Sequence, residues 1–373
     1  MTAMLPTILI STAYGLFAVV WFYGWRKAIH RKIRFSPNPQ IGISLLIPFR
    51  NEEKRIKPLI DVLLNISADF PNLECIFIND HSTDGTQLCI QQAGMPENRF
   101  RILSLPQSKP GKKEALTLGV REGIHPIIIT TDADCRLSID AIAEAAATLQ
   151  NSDIHLVCGP VLQHSGMGLA GQLADLEFLS LMTSGIAFWG AGMPFLCNGA
   201  FLAFKKESFI RLNGYEGNLQ FPGGDDVFLL EKCKQQFGKK AIHFLTDAKH
   251  LTHTRGDTGF RDFISRRIRW GSKAKAYGSE GKSITLFVFL VNMAISVSVV
   301  YFICAGRLEA LGPVMGTKLL ADGIMLGTGA SHFHKKIWFP LIPLASVLHS
   351  FYITLGGLLS IVWGRFHWKK RKF

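Results

Sequence analysis

Three stretches of this chain carry no charge over the length needed to cross a bilayer, and they constrain everything else. Leu5 to Trp25 and Ser283 to Cys304 contain no charged residue, and Ile337 to Trp363 has no acid, Lys or Arg, only His349. A spanning helix needs about 20 apolar residues, and all three reach that length. Composition agrees. Of 373 residues, 48% are hydrophobic and 18% charged, against about 25% charged in an ordinary soluble domain. The first stretch could be a cleaved signal peptide, but nothing basic precedes it and "RKAIHRKIR" follows, the flank of a retained anchor. The chain is expected to be a multi-pass protein of the inner (plasma) membrane.

Positive flanks stay cytoplasmic, so Arg26 to Arg34 put the N-terminus outside and residues 26–282 inside. The basic end, "GRFHWKKRKF", shares that side if there are three spans. Leu308 to Ala330, apolar but broken by Glu309, Lys318 and Asp322, reads as interfacial or re-entrant. The expected layout is a membrane helix (1–25), a basic linker (26–41), a catalytic α/β domain (42–257) and a basic amphipathic helix (258–282). A second membrane helix (283–304), the interfacial segment (305–336), a third membrane helix (337–363) and a cytoplasmic tail (364–373) follow. Cysteines 75, 89, 135, 158, 197, 233 and 304 show no metal spacing and read as reduced, buried thiols. The net charge of +13 fits anionic membrane lipids and an anionic substrate. Much of it flanks membrane segments, so nucleic acid is not an expected partner.

Between the first two spans, strand-like and helix-like patterns alternate. "ISLLIPF" (43–49), "LECIFIN" (73–79), "FRILSL" (100–105) and "PIIITTD" (126–132) read as strands. Helical stretches start at Glu52, Ser82 and Gly111. This pattern predicts a mainly parallel sheet covered by helices. Ligands bind beyond the carboxyl ends of such strands. The polar clusters "RNEE", "NDHSTD" and "DADC" fall there. Later, 154–161 and 199–204 read as strands, and 171–185 and the run from Asp225 as helices.

Asp132 and Asp134 sit two apart at the end of a buried strand. If the chain is still extended, both side chains project to one face. Buried carboxylates need neutralising, which points to a divalent cation shared with an anionic ligand; the plain alternative is two solvated loop acids. Gly223 and Gly224 lead into Asp225 and Asp226 at a helix start, where the macrodipole favours negative charge. An N-cap role accounts for only one of these two acids. In "DTGFRDFISRRIRWGSKAKAYG", Phe260, Phe263, Ile264 and Ile268 share a helical face among several arginines. Such a helix suits a membrane surface, and its arginines could also hold a phosphate.

The ordered set "IPFRNEE", "INDHSTDGT", "GKKEAL", "TTDADC", "CNGAFLAFKKESF", "GGDDVFLL" and "RRIRW" resembles the family 2 glycosyltransferases, membrane-anchored enzymes of the GT-A fold. The resemblance covers about residues 42–275. It implies a GT-A, Rossmann-like α/β domain flanked by transmembrane helices. It also implies an inverting, metal-dependent hexosyl transfer from a nucleotide-sugar donor, with a UDP-sugar the default. The acceptor would be a lipid-linked glycan or polysaccharide of the cell envelope. By position, Pro48, Asn51, Glu52 and Asp80 would meet the nucleoside and Lys112 the nucleotide. Asp134, with Asp132, would hold Mg²⁺ or Mn²⁺. Asp226 would be the general base and Asp225 its neighbour. Arg266, Arg269 and Trp270 would lie near the donor diphosphate. This chain departs from the pattern at Arg266, where the family carries Gln, and at Asn79, where it carries an acid.

Two other readings are weighed. A sugar nucleotidyltransferase usually carries a Gly-rich basic loop after its first strand, where this chain reads "PFRNEE". A membrane scaffold explains the anchors and the basic helix but not three acidic clusters at strand ends. The three spans contain no acidic residue, Lys or Arg, which ion-coupled transport often needs.

Overall fold

The structure, a computed structural model, describes residues 4–31, 40–66, 70–166, 168–221, 223–256, 277–362, 367–368 and 371–372. The chain divides into two compact units. One comprises Arg31–His164 and Leu196–Arg255, the other Met1–His30, Ser165–Phe195 and Gly256–Phe373.

The first unit is built on a seven-stranded sheet. Strands β1 (Ile43–Phe49) and β2 (Leu73–Asn79) are buried along almost their whole length, as expected of β-branched and aromatic runs covered on both faces. With β3 (Phe100–Ser104) and β4 (Ile127–Thr130) they pair in parallel. The connections run through α2 (Lys57–Ile66), α3 (Thr86–Gln91) and α4 (Lys112–Glu122). Both α2 and α3 begin later than the pattern suggested. Arg55 and Ile56 instead close a turn by donating to the Glu52 carbonyl, at 2.8 and 2.9 Å.

Beyond β4 the chain makes the short strand β5 (Cys135–Arg136) and then α5 (Ile139–Leu149), capped by Ser138, whose hydroxyl accepts from the Ala141 amide at 3.2 Å. The run 154–161 is not one strand. It divides at Gly159–Pro160 into β6 (Leu156–Cys158) and β7 (Val161–His164), which join different sheets. A Cβ on Gly159 would lie 2.4 Å from the Phe201 ring, so the break lets that ring sit against the backbone. Strand β8 (Leu202–Lys205) runs antiparallel to both β4 and β6. Helices α7 (Lys206–Arg211) and α8 (Asp225–Phe237) follow, then β9 (Ile242–Phe244) and β10 (Thr252–Arg255). The sheet order is β3-β2-β1-β4-β8-β6-β9, with β5, β10 and β7 in a smaller sheet. The mixed α/β fold expected from the alternation is therefore present.

The second unit is helical. It contains α1 (Met4–Ile29), α6 (Leu169–Gly190), α9 (Ser279–Cys304), α10 (Gly312–His332) and α11 (Ile342–Val362). Leu5–Ile29, Ser279–Cys304 and Phe339–Leu359 are long and apolar enough to cross a membrane. This is a membrane protein by those helices.

Two features of this unit go beyond the sequence reading. Residues 171–185, expected inside the 42–257 domain, belong to α6, which packs on α1. A Cβ on Gly190 would lie 2.0 Å from the Gly24 carbonyl, so both glycines permit a close helix crossing. Residues 312–332, expected to be interfacial or re-entrant, form one helix running beside α1 in the same direction. Tyr14 meets Lys318 at 3.1 Å, and the Trp25 and His332 rings lie 5.2 Å apart. Lys318 is fully buried and pairs with Asp322 at 3.0 Å, while the Tyr14 hydroxyl also donates to Asp322. Mutual neutralisation lets an otherwise apolar helix carry these two charges among apolar neighbours. Helices α9 and α11 are parallel to each other, since Ser350 donates to Asn292 at 3.1 Å and Ser296 meets Thr354 at 3.3 Å.

Candidate active site

The loops that follow β1, β2 and β4 form one polar crevice at the carboxyl end of the sheet. Pro48 lies within β1 and pairs with Ile78 of β2. Asn51 adopts φ +55°, and its side-chain oxygen accepts from the Thr83 amide at 2.8 Å. The Glu52 amide donates to Thr86 at 2.8 Å. Thus the first two loops are laced together before any ligand enters. Asp80 is 3% exposed and accepts from the Gly111 amide at 3.0 Å and from His81 Nδ1 at 3.0 Å. Asn79, in the place of the expected acid, spends its amide within the loop. It donates to Gln87 at 2.8 Å and accepts from the Ser82 amide at 2.8 Å.

Asp132 and Asp134 stand where the β4 run predicts, on the turn into β5. Their oxygens and Cys135 Sγ lie within 4.8 Å of one another. The carboxylates are hard oxygen donors that suit Mg²⁺ or Mn²⁺. Cys135 does not: burial, reinforced by Asp132 and Asp134, pushes its thiol well above the ordinary value, so it stays protonated. The pair of acids fits a divalent cation. Two residues that sequence reading did not single out also face Asp134. Arg55 lies 3.9 Å from one carboxylate oxygen while pairing with Glu52 at 2.9 Å, and Thr254 of β10 donates to the other at 3.5 Å.

Asp225 and Asp226 occupy the first turn of α8, at 6% and 7% exposure. Gly223 and Gly224 precede them at φ +78° and +76°, a backbone path that side chains other than glycine rarely take. Asp226 accepts from the Val227 amide at 2.8 Å. Gly199 leaves room for Asp225, because a Cβ there would lie 2.7 Å from its carboxylate. Tyr215 is buried beside the pair, and burial together with the Asp225 charge raises its hydroxyl pKa well above the usual value.

Lys112, at the start of α4, links the two acidic groups. Its ammonium lies 2.7 Å from Asp132 and 2.9 Å from Asp225. Enclosure alone would lower its pKa, but the two carboxylates reverse this and hold it well above the ordinary lysine value. Arg266, Arg269 and Trp270, and with them residues 258–276 of the expected amphipathic helix, lie outside the described residues.

Residues 44–212 match the family described as glycosyl transferase family 2. Among curated proteins, the chain is 26% identical over 217 residues to the poly-beta-1,6-N-acetyl-D-glucosamine synthase of Staphylococcus aureus, covering 55% of this chain and 50% of that protein. It is 28% identical over 145 residues to the 4,4'-diaponeurosporenoate glycosyltransferase of Staphylococcus haemolyticus, covering 39% of this chain and 38% of that one. The chain thus spans about half the length of the first of these relatives. Among solved structures, the mannosyltransferase of Pyrobaculum calidifontis in complex with GDP-Man and Mn²⁺ superposes with a TM-score of 0.59 at 19% identity. That match covers 96% of this chain and 99% of the other. The likeness is one of fold, and it bears out the GT-A architecture.

Proposed function

We propose that this chain, whose residues 44–212 match glycosyl transferase family 2, moves a sugar from a nucleoside-diphosphate donor to a hydroxyl of a lipid-linked or glycan acceptor, with inversion. The observation that carries this reading is the Lys112 bridge. It ties Asp132 to Asp225, so a diphosphate held at the first acid would present its sugar toward the second pair.

In this reading Pro48, Asn51, Glu52 and Asp80 form the nucleoside end of the crevice, and Lys112 contacts the diphosphate. Asp134, with Asp132, holds Mg²⁺ or Mn²⁺, which when bound offsets the charge of the leaving diphosphate. Asp226 takes the proton of the acceptor hydroxyl as that oxygen attacks the anomeric carbon. The bond from that carbon to the diphosphate oxygen breaks, and the nucleoside diphosphate leaves with the electron pair. Asp225 stays paired to Lys112 and orients the segment. Arg266, Arg269 and Trp270 are assigned to the donor by resemblance alone. UDP-sugars are the first donors to test and GDP-sugars the second.

Orientation follows from charge. Arg26 and Lys27 close α1, and Lys335 and Lys336 follow α10, which is parallel to α1 and meets it at Trp25 and His332. Two basic clusters at one end of the bundle favour that end as cytoplasmic. If α10 also crosses the membrane, residues 364–373 emerge on the opposite side, not on the cytoplasmic side that three spans imply.

The test is turnover of a donor panel by the detergent-purified protein with Mn²⁺ or Mg²⁺ and a membrane-lipid extract. Metal-dependent consumption of one donor supports the reading. No turnover and no binding of any donor would overturn it.

A further inference from the structure

The loop that leads from α7 to the acid pair is held by two lysines that donate to its backbone. Lys113 Nζ lies 2.6 Å from the Asn218 carbonyl and 2.7 Å from the Phe221 carbonyl, and 4.4 Å from the centre of the Phe228 ring. Lys232 Nζ lies 3.2, 2.7 and 2.9 Å from the carbonyls of Leu212, Gly214 and Glu216. An ammonium has three donors, so Lys232 is fully committed to this loop. The loop follows an unusual backbone path. Asn213, Gly214, Gly217, Gly223 and Gly224 all have positive φ, and its tip at Leu219 is 47% exposed. The two lysines satisfy five of its carbonyls, and a buried carbonyl without a donor is costly.

The placement of the two lysines carries the inference. Lys113 follows Lys112 on α4, so one helix start grips the Asp225 side chain with one residue and the main chain just ahead of it with the next. Lys232 lies on α8, the helix that the acids begin. We propose that Lys113 and Lys232 are positioning residues that clamp the loop carbonyls between Leu212 and Phe221, fixing Asp225 and Asp226 against the donor end of the site. This rests on the glycosyltransferase reading, but the clamp can be tested separately from it.

The experiment compares Lys113→Met, Lys232→Met and Lys232→Arg with the parent by hydrogen exchange, nucleoside-diphosphate binding with Mn²⁺, and transfer kinetics. The two Met variants should lose amide protection in residues 212–224 while the β1, β2 and β4 strands keep theirs. Binding should persist, and kcat should fall by as much as about 10²-fold with donor KM little changed, because a small misplacement of a reacting group has that effect. Lys232→Arg should recover most of the protection. If Lys113→Met does not fold, Lys232→Met, whose ammonium is nearer the surface, decides alone. Unchanged exchange in 212–224 in the Met variants overturns the clamp. Should the parent neither bind nor turn over any donor, the enzymatic reading fails, and the exchange data still judge the clamp.

Discussion

Lys112 and Asp225 meet at 2.9 Å while the same ammonium holds Asp132 at 2.7 Å. This contact makes one site of two motifs that lie more than 90 residues apart in the chain. It also means that a cation already occupies part of the negative charge that a metal ion would use.

Replacing Lys112 with Met should therefore tighten Mn²⁺ binding in the absence of nucleotide. A charge-assisted hydrogen bond is worth roughly 1.5–3 kcal/mol, so a gain of about ten- to a hundredfold is expected. Calorimetry with Mn²⁺ alone reads it. Weaker binding would mean that Lys112 supports the acidic turn rather than competing there. Donor turnover should fall in the same variant.

Asp226→Asn keeps the side-chain oxygen that accepts from the Val227 amide but cannot take a proton. Turnover should fall by about 10²–10⁴-fold, with nucleotide binding retained. Equal loss in binding and turnover would argue that Asp226 holds the fold of the turn instead.

His243, buried in β9, has its pKa lowered to about 4 by burial, then by Arg31 and His250. The unfolded chain takes up this proton near pH 6.5 and the folded chain only near pH 4. Stability contributed by the neutral ring is thus present above pH 6.5 and lost as pH falls through that window, by about 3 kcal/mol at most. Denaturation measured from pH 7.5 to 4.5 should show the decline. His243→Gln should flatten it, and an unchanged slope would count against the assignment.

Lys318 and Asp322 neutralise each other inside the helical unit. Lys318→Met or Asp322→Leu alone should cost about 3–5 kcal/mol, whereas the double substitution should recover most of it. Additive losses, read from detergent thermal melts, would contradict a coupled pair. Because α9 and α11 run parallel, a topology reporter fused after Phe373 should report from the outside, and a cytoplasmic location would contradict a fourth crossing by α10.

Much of the site was legible because its chemistry is local. The strands ending at Phe49, Asn79 and Thr130 are short apolar runs followed by acids, and the glycines before Asp225 mark a backbone path that little else can follow. The rest depended on partners far along the chain. Nothing in the spacing shows that β8 inserts antiparallel between β4 and β6. The apolar run 171–185 has the same pattern whether it covers a sheet or packs on α1. Lys318 and Asp322 read as breaks in hydrophobicity because their mutual pairing, and the Tyr14 contact some 300 residues away, appear only in three dimensions. Thr254 and Lys232 are ordinary residues in sequence, and only folding brings them to Asp134 and to the acid-pair loop.

The most direct test of the acidic crevice as a donor site is nucleoside-diphosphate binding by calorimetry, with and without Mn²⁺. It would compare the parent with Asp134→Ala and Asp226→Asn. Metal-dependent binding lost in Asp134→Ala and kept in Asp226→Asn is the predicted result. Binding that ignores both the metal and the Asp134 substitution would contradict it.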